Sequence, residues 1–144
     1  MFAEAGVTVQ HTPDIQAAMW QKLLFIASFS GVGAVTRSPA GTLRDVPQVY
    51  QMLQSAMHEV DAVARARGIA MREDAVQHGL NLIANLPDAA TASMQRDVMD
   101  GRPSELDAQN GAVVRLGADV NVPTPTHSFL YASLLPAERR ARRA

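Results

Sequence analysis

Residues 47–67, PQVYQMLQSAMHEVDAVARAR, decide the fold class. Their apolar positions, Val49, Met52, Leu53, Ala56, Met57, Val60, Val63 and Ala64, recur at the helical spacing of about 3.6 residues, with Gly68 behind them as a stop. Upstream, Thr12-Pro13-Asp14 reads as a helix start: a hydroxyl cap, a proline and an acid. That helix is predicted over 14–30, released by Gly31-Val32-Gly33. Ser38-Pro39 and Thr42 open short turns. Downstream, the pattern repeats over 72–86 with Ala75, Leu80, Leu82 and Ile83, and Pro87 closes it. Further helices are predicted over 90–99, 104–117 and 124–135. The third-to-last segment is followed by the loop GRPS, and Ser104-Glu105-Leu106-Asp107 resembles a capping box. Strand-like alternation occurs only weakly, at Val7 to Val9. The pattern is all-α, a bundle of about six helices.

The chain has 144 residues, the size of one domain, with 47% hydrophobic and 19% charged residues. Its formal charge of −1 gives no field that would draw it to nucleic acid or a membrane. It has no cysteine, so disulfides, thiolate metal sites and a cysteine nucleophile are excluded. The opening MFAEAGVTVQ lacks the basic-then-apolar order of a signal peptide, and the apolar stretch 23–35 is shorter than the roughly 20 residues of a bilayer span. The expectation is a soluble, cytoplasmic domain. Four histidines, His11, His58, His78 and His127, show no ligand spacing, so no metal site is expected. Residues 136–144 end in RRARRA and read as a solvated, disordered basic tail.

Lys22 is the chain's only lysine, against twelve arginines, and it lies in MWQKLLFIASFS, residues 19–30. On a helix it shares a face with Ile15, Ala18, Met19, Phe25, Ile26, Phe29 and Ser30, while Trp20, Leu23, Leu24 and Ala27 lie opposite. A helix apolar all round is central in its domain or covered by a partner. Its lysine either extends its ammonium to an edge or serves as a proton donor, which an arginine cannot do.

The chain carries a series of motifs in order. They are W-x-K at Trp20 and Lys22, P-x-G-x-x-R at Pro39, Gly41 and Arg44, and E-x-x-x-V-A-x-A-x-G from Glu59 to Gly68. S-M-x-x-D follows from Ser93 to Asp97, then G-R-x-S-E-L-D-x-x-N-G from Gly101 to Gly111, and Val122-Pro123-Thr124-Pro125. In that order and spacing, residues 10 to 135 resemble the C-terminal helical domain of ketopantoate reductase (2-dehydropantoate 2-reductase). The stretch around Glu105 is the most specific part.

The resemblance implies an all-helical domain like that of the 6-phosphogluconate dehydrogenases. It also implies a partner Rossmann domain that holds NADPH, and a role in pantothenate and coenzyme A biosynthesis. No such Rossmann segment is read within this chain: Gly31 to Gly33 follows a helix and lacks the third glycine of a dinucleotide fingerprint. By resemblance, Lys22 is the general acid that protonates the ketone oxygen of a 2-keto acid as hydride arrives. Glu105 pairs with the substrate hydroxyl, Ser93 contacts the substrate carboxylate, and Asp97 and Asn110 support the site. Read without the resemblance, Glu105 is a first-turn acid and Ser93 an exposed hydroxyl.

Typical members of the family carry asparagines four and eight residues after the lysine, where this chain has Ile26 and Ser30. That departure implies a more apolar 2-keto acid, with Ser30 the remaining polar group at the substrate. A homodimer is expected, using the apolar faces of 14–30 and 47–67. The alternative is a helical association module without catalysis.

Overall fold

The computed structural model describes residues 13–144. Within them the chain forms seven α-helices, one π-helical turn and no strand. Helix α1 (Ile15–Thr36) is the axis of the bundle. The others are α2 (Ala40–Asp45), α3 (Pro47–Ala66), α4 (Ala75–Ala84), α5 (Ser93–Met99), a π turn (Asp107–Gly111) running into α6 (Ala112–Asp119), and α7 (Pro125–Ala141). α1 packs against every one of these except α6.

The cap of α1 is Asp14, whose carboxylate accepts a hydrogen bond from the Ala17 N–H at 3.0 Å. The expected Thr12 cap, the Val7–Val9 alternation and His11 lie outside the described residues. α1 does not end near Ser30. It runs through Gly31 and Gly33 to Thr36, and stops at Arg37 in a left-handed conformation (φ 53°). The two glycines serve close packing instead of chain reversal. A Cβ at Gly31 would lie 2.5 Å from Asn110 Nδ2, and one at Gly33 would lie 2.5 Å from Gln95 Oε1. Amide side chains from two other elements press on the bare backbone of the axial helix there. α1 is long and apolar enough to cross a membrane by length and composition, but half of its most apolar window is buried in the bundle. It is the core helix of this fold.

α3 follows its sequence pattern closely. Leu53, Ala56, Met57, Val60, Val63 and Ala64 are all buried, against a core that includes Leu24, Ala27 and Val32 of α1. Burial of each side chain of Val or Leu size contributes about 1.5–3 kcal/mol. Gly68, at φ +79°, closes the segment as expected. This burial corrects the expected dimer face: the apolar stripe of 47–67 is used inside the bundle.

The turns expected around Ser38 to Thr42 form α2. Gly41 approaches the Asp88 backbone, its N–H donating to the Asp88 carbonyl at 3.0 Å. Arg44 donates to the carbonyls of Ile83 and Leu86, both at 2.9 Å, and pairs with Asp88. The P-x-G-x-x-R motif therefore clamps the end of α4. α4 begins at Ala75, later than expected, because Arg72 is drawn into a side-chain pair with Asp74.

α7 departs furthest from expectation. It continues six residues past Leu135 to Ala141, carrying Pro136 within it, so the basic segment is helical and not a disordered tail. Its N-terminal N–H groups are capped from another element. Glu59 of α3 accepts from Thr126 N at 2.7 Å and from His127 N at 2.9 Å.

Candidate active site

Lys22 and Glu105, 83 positions apart in sequence, line one open cleft of about 600 Å³. α1 supplies Met19, Trp20, Lys22, Leu23 and Ile26. The segment entering the π turn supplies Glu105, Ala108 and Gln109, and α6 adds Leu116. Trp20 and Leu23, expected on the far side of α1, flank the same opening as Lys22. Lys22 is exposed and has no ion pair among the described residues. It thus lines a largely apolar cleft together with Glu105, the one carboxylate in that lining.

Glu105 is held from behind. Gln109 Nε2 donates to Glu105 Oε2 at 2.9 Å, and Gln109 Oε1 accepts from the Ser30 hydroxyl at 2.7 Å. Ser30 is fully buried, so it reaches the cleft only through Gln109. Asn110, the next residue, points elsewhere. Its Nδ2 donates to the Ala27 carbonyl at 3.1 Å and lies 3.1 Å from His127 Nδ1. His127 Nε2 lies 3.0 Å from the Ala56 carbonyl. With one ring nitrogen accepting and the other donating, His127 is satisfied as a neutral imidazole. Burial pushes its pKa below the ordinary histidine value, opposed by the Ala56 carbonyl and the nearby Glu59.

The loop that presents Glu105 is anchored at both ends. Asp97 accepts from Arg102 Nη2 at 2.8 Å and Nε at 3.1 Å. Behind the loop, the buried carboxylate of Glu138 accepts from Ser104 N at 3.1 Å and from Ser104 Oγ at 2.6 Å. Arg142 spans the same contact, with Nε 2.7 Å from Glu138 and Nη2 donating to the Ser104 carbonyl at 2.8 Å. Ser104 Oγ does accept from Leu106 N at 3.2 Å, but the far partner of the expected capping box is engaged elsewhere. Asp107 is bound by Arg115 and Tyr131, and these hydrogen bonds, Arg115 first, hold its carboxyl below the usual range.

Ser93 stands apart from this assembly. It is exposed at the first position of α5 and is not among the residues lining the Lys22 cleft. Gln109 and Glu138 were not among the expected site residues. Glu138 had a signal: Leu130, Leu134 and Glu138 form an i, i+4 stripe, which places the acid on the buried side of α7. Gln109 had none, because its direction depends on the π turn.

Among the described residues, seven helices, one of them axial with an open apolar cleft beside it, form a fold that this chain shares with solved reductase structures. A family model described as "Ketopantoate reductase PanE/ApbA C terminal" matches residues 14–138, and the chain belongs to that family. It is 30% identical over 139 residues to the 2-dehydropantoate 2-reductase of Vibrio cholerae, covering 96% of this chain and 47% of the relative. The crystal structure of a PanE/ApbA family ketopantoate reductase from Ralstonia eutropha JMP134 superposes with a TM-score of 0.89 at 30% identity, over 98% of this chain and 47% of that one. The ternary structure of D-mandelate dehydrogenase with NADH and anilino(oxo)acetate shares the fold, with a TM-score of 0.81 at 20% identity over 98% of this chain and 78% of that one. The chain spans about half the length of the first two proteins.

Proposed function

We propose that this domain supplies the substrate pocket and the general acid of an NADPH-dependent reductase acting on ketopantoate or a more apolar 2-keto acid. The observation that carries the reading is the placement of Lys22 and Glu105, far apart in sequence, in one open cleft. A nicotinamide cofactor would supply the hydride. As the ketone carbon becomes tetrahedral its oxygen gains charge, and the Lys22 ammonium stabilises it and delivers the proton that completes the hydroxyl. Glu105 accepts a hydrogen bond from a substrate hydroxyl. Met19, Trp20, Leu23, Ile26 and Leu116 form the apolar wall, which suits a substrate whose side chain is hydrocarbon or aromatic.

The fit of the cofactor to this chain is partial. The cleft offers an apolar wall for a flat ring, but the described residues include no strand-turn-helix glycine loop for its phosphates. NADPH is therefore assigned mainly to a separate nucleotide-binding domain. The chain alone should bind NADPH weakly and show no turnover; tight binding in a titration of the purified 144-residue chain would contradict this assignment.

In the enzyme completed by its cofactor-binding half, Lys22→Ala should lower kcat by at least about a hundredfold, the usual scale for a lost general acid. Steady-state kinetics with ketopantoate and with phenylglyoxylate would test both the acid and the pocket. Wild-type kcat in that variant would reduce Lys22 to a surface lysine.

A further inference from the structure

We propose that Gln109 is the positioning residue for Glu105, and that the buried hydroxyl of Ser30 anchors the far end of the Gln109 amide. The proposal rests on the reading above for what Glu105 does, but its geometry stands by itself.

Gln109, Asn110 and Gly111 are consecutive and all buried. In an α-helix each residue turns by about 100°, so three in succession span most of two faces and do not all point inward. Here the wider π turn over Asp107–Gly111 lets Gln109 and Asn110 address different neighbours. Asn110 serves Ala27 and His127, while Gln109 lies between Ser30 and the cleft.

An amide side chain has an acceptor end and a donor end, and reversing it exchanges them. If Gln109 were reversed, its oxygen would face Glu105 Oε2, acceptor against acceptor. The acceptor-only carboxylate therefore draws the amide N–H to Glu105 at 2.9 Å, and the Ser30 hydroxyl, which can rotate to suit, anchors the other end by donating to Oε1 at 2.7 Å. Gln109 N also donates to the Glu105 carbonyl at 2.9 Å, so backbone and side chain are tied together.

The result is a chain of contacts from fully buried Ser30, through nearly buried Gln109, to exposed Glu105. A glutamate at a surface ordinarily samples several rotamers. This one is fixed at Oε2 from the core, leaving Oε1 with no partner among the described residues and available to accept from a ligand in the cleft. Preorganisation of this kind lowers the cost of ordering the group on binding.

The test uses the isotopically labelled chain and the variants Gln109→Leu, Ser30→Ala and the pair. In the wild-type chain, three-bond couplings should show one dominant Glu105 side-chain rotamer, and the Gln109 amide protons should exchange more slowly than those of exposed Gln51. Gln109→Leu should abolish the rotamer preference. Ser30→Ala should weaken it, and the double variant should look like Gln109→Leu, because both act through one path. A Glu105 rotamer unchanged in Gln109→Leu, or unchanged in Ser30→Ala should the leucine variant not fold, overturns the proposal.

In the enzyme completed by its cofactor-binding half, Gln109→Leu should raise KM for the keto acid about tenfold, as expected when one hydrogen-bonded group is lost, with kcat nearly unchanged. An unchanged KM overturns the positioning role in substrate binding. If the rotamer is locked by Gln109 while Lys22→Ala leaves kcat intact, the geometric proposal survives and the reductase reading falls.

Discussion

Gly31 is a residue at which another element presses closely on the axial helix, and its replacement by alanine has a defined cost. The new methyl would sit 2.5 Å from Asn110 Nδ2 and 3.1 Å from Leu130 Cδ1. Asn110 cannot withdraw without releasing Ala27 and His127, so Gly31→Ala should destabilise the domain by roughly 1–3 kcal/mol, the range for an overpacked core. Urea denaturation would measure it. His127, in the same network, makes stability depend on pH. Its folded pKa lies below the unfolded value of about 6.5, so the unfolded chain takes up the proton more readily. That contribution is complete above pH ~6.5 and is lost as pH falls through the folded value. Denaturation midpoints in the neutral and mildly acidic ranges should therefore separate, and His127→Gln should reduce the separation. The sequence reads Gly31 and Gly33 as a helix stop because glycine is a poor helix former in isolation. The amides that press on them come from positions 95 and 110, and local sequence carries no trace of those contacts.

Among the helices, α3 was legible from its periodicity, whereas α7 was legible only as far as Leu135. The α3 stripe is a repeated local pattern that burial only confirms. The second half of α7 carries Pro136 and a run of arginines, both of which argue locally for an end, and tertiary contacts override them. Glu138 is the main one. With its carboxylate buried at 4% exposure, it satisfies the backbone N–H and hydroxyl of Ser104. Glu138→Ala would leave those donors without partners, at a cost of roughly 1–3 kcal/mol. It should also loosen the loop bearing Glu105, which hydrogen exchange at Ser104 and Leu106 would detect. At the other end of α7, Glu59 caps Thr126 and His127, so Glu59→Ala should cost about 1–2 kcal/mol in a thermal melt. The motif residues Gly41, Arg44, Glu59 and Asp97 were visible in the sequence, but their work here is joining elements. Of the expected site residues, Lys22 and Glu105 line the cleft, Ser30 acts from beneath it, and Ser93 stands outside.

At the scale of the whole molecule, the first turns of α1 expose apolar side chains. Ile15 is 62% exposed and Met19 65% exposed, next to the apolar wall of the cleft. An exposed apolar edge of this kind among the described residues favours association. The isolated chain should therefore self-associate through α1 alone, since the α3 stripe is used internally. Light scattering across a concentration series would give the stoichiometry, and Met19→Lys should shift it towards monomer. A monomer at all concentrations would remove the association-module alternative. A dimer that closes over Lys22 and Glu105 would count against the reductase reading, because no substrate could enter.

The tie between Glu138 and Ser104 has a practical side for anyone handling the protein. The final turns of the polypeptide are fastened to the loop that carries the cleft's carboxylate, only one residue away from it. An affinity tag fused after Ala144, or a stop codon introduced after Leu135, is thus an intervention at the loop bearing Glu105. A fluorophore attached near Arg143 would sense events there.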